Sequence, residues 1–265
     1  MPALRLLFGG MLLMRDNRLK QIEDLVGRRE AVTMEELRRT FGVSMNTIRA
    51  DVAKLVENGA VEKVYGGVRA VRGQEVPLFT HRTELRPQEK KHIARYAQKL
   101  IHDGDTIYID AGTTAMRLID FLDPAKRVTV VTGNLYVISR AYMKPRVDLI
   151  VLPGGMNRRT NSVADGGTLE YLARYRCGKA FMGASGVSPE GGLNVSSYME
   201  YQIKKLALQQ CQQAYLLLDS SKFGGSSLLS YGAISDMTEI VTDRLCPQAF
   251  RELCEQAGVK LTAVD

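Results

Sequence analysis

The chain has 265 residues, 45% hydrophobic and 25% charged, a balance that excludes wholesale disorder and suits one small and one medium domain. No apolar run reaches the roughly 18 residues of a membrane span, and the four cysteines (Cys177, Cys211, Cys246, Cys254) form no CxxC pair, which predicts reduced thiols in a cytoplasmic protein. The net charge is +7, and residues 1–72 carry 13 Lys and Arg against 9 Asp and Glu, an excess that favours a polyanionic partner.

Residues 1–14 are mildly apolar and too short to span a bilayer; they are expected to be a disordered extension or an upstream start. From Arg15 the period is helical, with Leu19, Ile22, Leu25 and Val26 on one face and Gly27 as the stop. Thr33, with Glu36 three residues on, is a capping box opening a second helix that stops at Gly42. Ser44 caps a third, in which Ile48, Val52, Leu55 and Val56 form the inward stripe and Asn58-Gly59 the end. Two short strands joined through Tyr65-Gly66-Gly67 follow. Residues 15–70 therefore predict a winged helix-turn-helix, the turn motif spanning Val32 to Asp51.

Residues 71–88, polar and holding Pro77 and Pro87, predict a linker. Beyond it, short apolar strands alternate with helices over 114–122, 135–143, 198–211 and 247–257. That alternation predicts a parallel sheet covered on both faces, an α/β domain over 89–265.

In a helix-turn-helix the first turns of the recognition helix face the major groove. Asn46 suits adenine and Arg49 suits guanine, each by a bidentate pair. Lys54 also faces outward on this helix, Ser44, Thr47, the helix N-terminus and the wing Lys63 suit phosphate oxygens, and Gly66-Gly67 lets the wing turn lie close to the duplex. The competing reading is a solvated amphipathic helix, with Arg49 and Asp51 in surface ion pairs of little worth.

The stretch GVSMNTIRADVAKLVENGAVEKVYGGV resembles the helix-turn-helix of the DeoR/GlpR family of bacterial transcription regulators. Val43, Ser44, Thr47, Ile48, Arg49, Asp51, Leu55, Gly59, Gly66 and Gly67 stand in matching places. Ala50, Val52 and Tyr65 replace the usual Arg, Leu and His, which bears on the operator sequence rather than on DNA binding.

In the α/β part, polar loops follow the strands. Asp110 and Gly112-Thr113-Thr114 offer backbone donors, hydroxyls and a helix start to an anion, in a pattern that is neither a Walker A loop nor GxGxxG. Thr132-Gly133-Asn134, Gly154-Gly155, and Asp219 with Lys222 supply further polar groups. These stretches, with Arg82, Glu89-Lys90, Phe181-Met182-Gly183, Glu200, Lys204 and DSSKFG at 219–224, resemble the DeoR-type sensor domain, which is similar in fold to ribose-5-phosphate isomerase and CoA transferases. The resemblance implies a phosphorylated sugar or sugar-alcohol effector held by the 110–114 loop and Lys222. It departs at Gly133, which stands in the family's Asn place beside Asn134.

No carboxylate sits in a motif that specifies a catalytic base, Glu200 and Lys204 have the spacing of an i,i+4 ion pair, and the three histidines are badly spaced for a metal. No catalytic residue, metal or cofactor is therefore expected. The reading is a repressor of a sugar or sugar-alcohol operon, acting as a homodimer or homotetramer on a double-stranded operator and released by a phosphosugar. Two others stay open: an isomerase-like sugar-phosphate enzyme with a regulatory head, and an interaction module whose wing contacts protein.

Overall fold

The computed structural model describes residues 18–264 except 20, 23–24, 27–28, 30, 58–60, 71–78 and 245. The extension at 1–14, the helix stops expected at Gly27 and Asn58-Gly59, and residues 71–78 of the linker lie outside the described residues.

The described residues 18–19, 21–22, 25–26 and 29 are helical and are labelled α1. β1 (Ala31–Thr33) leads into α2 (Met34–Phe41). The capping box forms: the Thr33 N–H donates to Glu36 Oε2 at 2.9 Å and the Glu36 N–H to Thr33 Oγ1 at 3.1 Å. At the start of α3 (Met45–Glu57), Ser44 Oγ accepts from the Thr47 N–H at 3.1 Å. The apolar stripes of the three helices meet in one core built on Leu19, Ile22, Leu37, Ile48, Val52 and Leu55, each side chain stabilising the head by about 2 kcal/mol.

β2 (Val61–Val64) and β3 (Gly67–Ala70) form the expected wing, with β1 added, in the order β1-β3-β2. Three residues between helices carry no period, so β1 has no sequence signal. The two wing glycines have different work. Gly66 takes φ 76° at the turn, while a Cβ on Gly67 would stand 2.3 Å from the Val32 carbonyl oxygen of β1.

The supposed linker is helical from residue 79: α4 (Phe79–Glu84) and α5 (Pro87–Ala97), with Pro87 at the first helical position, where its missing N–H costs nothing. Then come β4 (Thr106–Ile109), α6 (Leu118–Phe121), β5 (Val128–Thr132), α7 (Leu135–Ala141), β6 (Val147–Val151), β7 (Met156–Asn157), β8 (Ser162–Val163) and α8 (Gly166–Leu172). β9 (Cys177–Met182), β10 (Gly186–Val187), β11 (Gly192–Val195), α9 (Tyr198–Gln209), β12 (Cys211–Leu217), β13 (Leu229–Ala233), β14 (Glu239–Thr242), α10 (Gln248–Gln256) and β15 (Lys260–Ala263) complete the chain. The helix expected over 114–122 divides into a 3-10 turn at Ala115–Arg117 and α6.

Seven strands form a sheet in the order β15-β14-β12-β9-β4-β5-β6, every neighbouring pair parallel. Alternation feeds both faces. Ile107, Ile109, Phe181, Tyr215 and Leu217 pack with α5, α6 and α7, while Tyr108, Ala180, Met182 and Leu216 pack with α8, α9 and α10. β4 and β9 adjoin, with later strands running outward on either side, so this is the topological switch point, where loops diverge and leave a crevice.

Candidate functional sites

On the head, Asn46 and Arg49 are exposed on α3, and Arg49 forms no ion pair among the described residues. Asp51 turns inward instead of pairing with Arg49: it is 1% exposed and takes Arg18 Nε of α1 at 2.6 Å. Its carboxylate therefore ties α3 to α1, and the Arg49 guanidinium is left exposed. Ser44 and Thr47 share a 2.8 Å hydroxyl contact at the helix start; Lys54 is half-buried on α3 and Lys63 exposed on β2. Tyr65, known from sequence only as a departure from the family pattern, is a fully exposed aromatic ring at the wing tip.

At the switch point of the sheet lies a cleft of about 480 Å³. Gly112, Thr113 and Thr114 line it after β4, Gly183 to Ser185 after β9, and Asp219, Ser221 and Lys222 after β12. Four cations surround it: Arg82 from α4, Arg86, Lys90 from α5, and Lys222. Lys90 is 3% exposed; its ammonium donates to the Arg82 carbonyl and meets no carboxylate partner among the described residues. Burial, with Asp219 opposing it and the neighbouring cations Lys222, Arg82 and Arg117 adding to it, holds its pKa down to about 8. Burial likewise lowers that of Arg82, whose Nη2 donates to the Arg159 carbonyl at 3.2 Å while its buried Nε has no partner among the described residues. Arg86, at φ 49°, lies 3.7 Å from Asp219 and 3.9 Å from Asp243.

The other sequence-derived residues lie outside this cleft. Asp110 sits beneath its floor, 1% exposed, its Oδ2 accepting from the Gly112 N–H at 3.2 Å, the Gly183 N–H at 3.0 Å and the Lys204 ammonium. Lys204 also donates to the Gly183 carbonyl at 2.9 Å, so its ion pair is with Asp110 across the sheet and not with Glu200 along the helix. Glu200 lines a separate cavity of about 30 Å³ near Asp110, its pKa raised by burial. Thr132 donates to the Ile109 carbonyl at 2.7 Å. Asn134 caps α7, its Oδ1 accepting from the Tyr136 N–H at 2.9 Å. Gly133 receives β8: its carbonyl accepts from the Val163 N–H at 2.8 Å, and a Cβ on it would meet the Val163 oxygen at 2.7 Å. Gly154 and Gly155 are exposed in the turn after β6.

Sequence reasoning did not include Arg82, Arg86, Lys90, Ser185, Ser226 and Ser227 among the site residues. The first three carry a usable signal, a cation every fourth residue through 82, 86 and 90, masked by the prolines that made the stretch look like a linker.

The chain matches two families of protein domains: the DeoR-like helix-turn-helix domain over residues 18–74 and the DeoR C terminal sensor domain over 85–244. It is 38% identical over 246 residues to the HTH-type transcriptional regulator IolR of Bacillus subtilis, covering 92% of this chain and 98% of that one. To the glycerol-3-phosphate regulon repressor of Escherichia coli it is 28% identical, covering 91% and 95%. Among solved structures, ribose 5-phosphate isomerase A of Methanocaldococcus jannaschii aligns over 51% of this chain and 53% of that one, at 22% identity and a TM-score of 0.37.

Proposed function

The chain belongs to the DeoR family of bacterial transcription regulators, and from that premise we propose that a phosphorylated sugar or sugar alcohol, bound in the cleft between β4 and β9, releases it from its operator. It is a DNA-binding regulator of carbohydrate metabolism, and its relatives are named as regulators, not enzymes. No described helix is long and apolar enough to cross a membrane, in keeping with a cytoplasmic repressor.

The observation that carries the effector reading is Lys90. A buried ammonium is costly unless an anion offsets it, and this one faces backbone donors and two threonine hydroxyls without a carboxylate of its own. A phosphate set there would meet Lys90, Lys222 and the N–H groups of Thr113 and Thr114, while Asp219 and the serine hydroxyls suit a sugar's hydroxyls. Asp110 and Lys204 support this floor from behind through the Gly183 backbone, Asn134 donates to the Asp110 carbonyl, and Thr132 donates to the Ile109 carbonyl.

The test is fluorescence anisotropy on DNA upstream of the protein's own gene, with and without glycerol 3-phosphate, ribose 5-phosphate, fructose 1-phosphate and glucose 6-phosphate. Tight, sequence-preferring binding weakened by one of them supports the proposal. Turnover of a phosphosugar without operator binding would favour the enzyme reading instead.

A further inference from the structure

We propose that Leu228 couples the cleft to the DNA-reading head, so that the loop which receives the effector is also the loop that holds the head. This rests on the cleft being the effector site. By sequence Leu228 belongs to the sensor domain, yet its half-buried side chain packs against the head core built on Ile22, Leu37, Ile48 and Leu55.

Both sides of Leu228 are tied to the cleft. Ahead of it, Ser226 and Ser227 form the cleft wall on the same loop as Lys222. That loop is anchored where the Gly224 N–H donates to the Val187 carbonyl at 2.9 Å and the Gly225 N–H to the Lys222 carbonyl at 3.3 Å. Behind it, β13 begins at the next residue, and Tyr231 donates its hydroxyl to the Gly183 carbonyl at 3.0 Å, at the residue whose N–H holds Asp110. One peptide unit, about 3.8 Å between Cα atoms, thus separates Ser227, which lines the cleft, from a side chain packed against the head core.

The scale of the effect follows from contact physics. A gap of about 0.5–1 Å forfeits a quarter to a half of a van der Waals well. Drawing Ser226 and Ser227 onto a ligand by that amount therefore loosens the Leu228 contact without unfolding either part. The effector acts through its higher affinity for the state in which the head is released.

The experiment uses the full-length protein, calorimetry for binding of the same four phosphate esters, and anisotropy for operator affinity. In the wild-type protein the ester that binds should weaken operator affinity about tenfold or more. Leu228→Ala should bind that ester within about twofold of wild type and lose most of the operator response, a split that a generally destabilised protein does not produce. Leu228→Val should give a reduced response, and Leu228→Met, which keeps the volume, should restore it. Probe binding reports a folded sensor domain and operator binding a folded head, so loss of folding is recognised directly; if Leu228→Ala does not fold, the Val and Met variants decide. Leu228→Ala, or Leu228→Val where the Ala variant does not fold, binding the ester and responding like wild type overturns the coupling but leaves the cleft reading standing. No ester bound by the wild type overturns the cleft reading, and the coupling with it.

Discussion

Lys90 shows how one side chain reports on what its surroundings are built to receive. Its pKa of about 8 lies below the ordinary 10.5, so the folded protein binds fewer protons than the unfolded chain between those values. Without effector, stability should rise with pH through that window, and the penalty for holding the ammonium should be complete below it. Effector affinity runs the other way, because a phosphate needs the protonated form. It should rise as the phosphate's second ionisation, near pH 6, completes, and fall above pH 8 by up to about tenfold per unit. Lys90→Met should lower affinity about tenfold or more and remove the alkaline limb, which calorimetry between pH 6 and 9 would show. Unchanged affinity in that variant would place the anion elsewhere. Asp110 and Lys204 teach the opposite lesson. Paired and buried, they lie outside the cleft of about 480 Å³, and Lys204→Met should cost about 3–5 kcal/mol in denaturant unfolding by leaving the buried Asp110 carboxylate without its ammonium. Asp110 is conspicuous in the sequence because it follows a strand. Only the approach of α9 shows that its oxygen is already taken.

At the scale of the element, the helix ends were legible because their chemistry is local. Thr33 with Glu36 and Ser44 with Thr47 close hydrogen bonds within three residues. β1 was not legible, since its partner β3 lies more than thirty residues away and only Gly67 betrays it. Gly67→Ala should push β1 off the wing and lower both thermal stability and operator affinity, whereas Gly155→Ala, with nothing within 4 Å of its Cβ, should do neither. Equal melting curves for the two variants would refute the close packing assigned to Gly67. The cationic stripe of α4 and α5 failed for another reason: Pro87 reads as a breaker, yet at a helix's first residue it is a start.

For the whole molecule, one recognition helix reads too few base pairs to find an operator, so two heads should engage half-sites about one helical turn apart. Arg49→Ala should cost about 1–3 kcal/mol of operator affinity and relax preference at one base pair. Lys63→Ala should weaken all sequences alike and reduce the salt slope by about 1. Anisotropy against salt on matched and mutated operators separates the two, and equal losses on every sequence would show that Arg49 contacts phosphate and not a base.

The sequence by itself determined the two-part architecture, the parallel sheet and the regulator family, because hydrophobic period, caps and a dense local motif are properties of neighbouring residues. Only the tertiary structure decided which polar residues face the cleft and which are consumed in holding it open. Donors and acceptors are spent on partners far along the chain: Asp110 on Lys204, Asp51 on Arg18, Thr132 on Ile109. What is left without a carboxylate after that pairing, Lys90 above all, marks the candidate site, and no local pattern records which groups those will be.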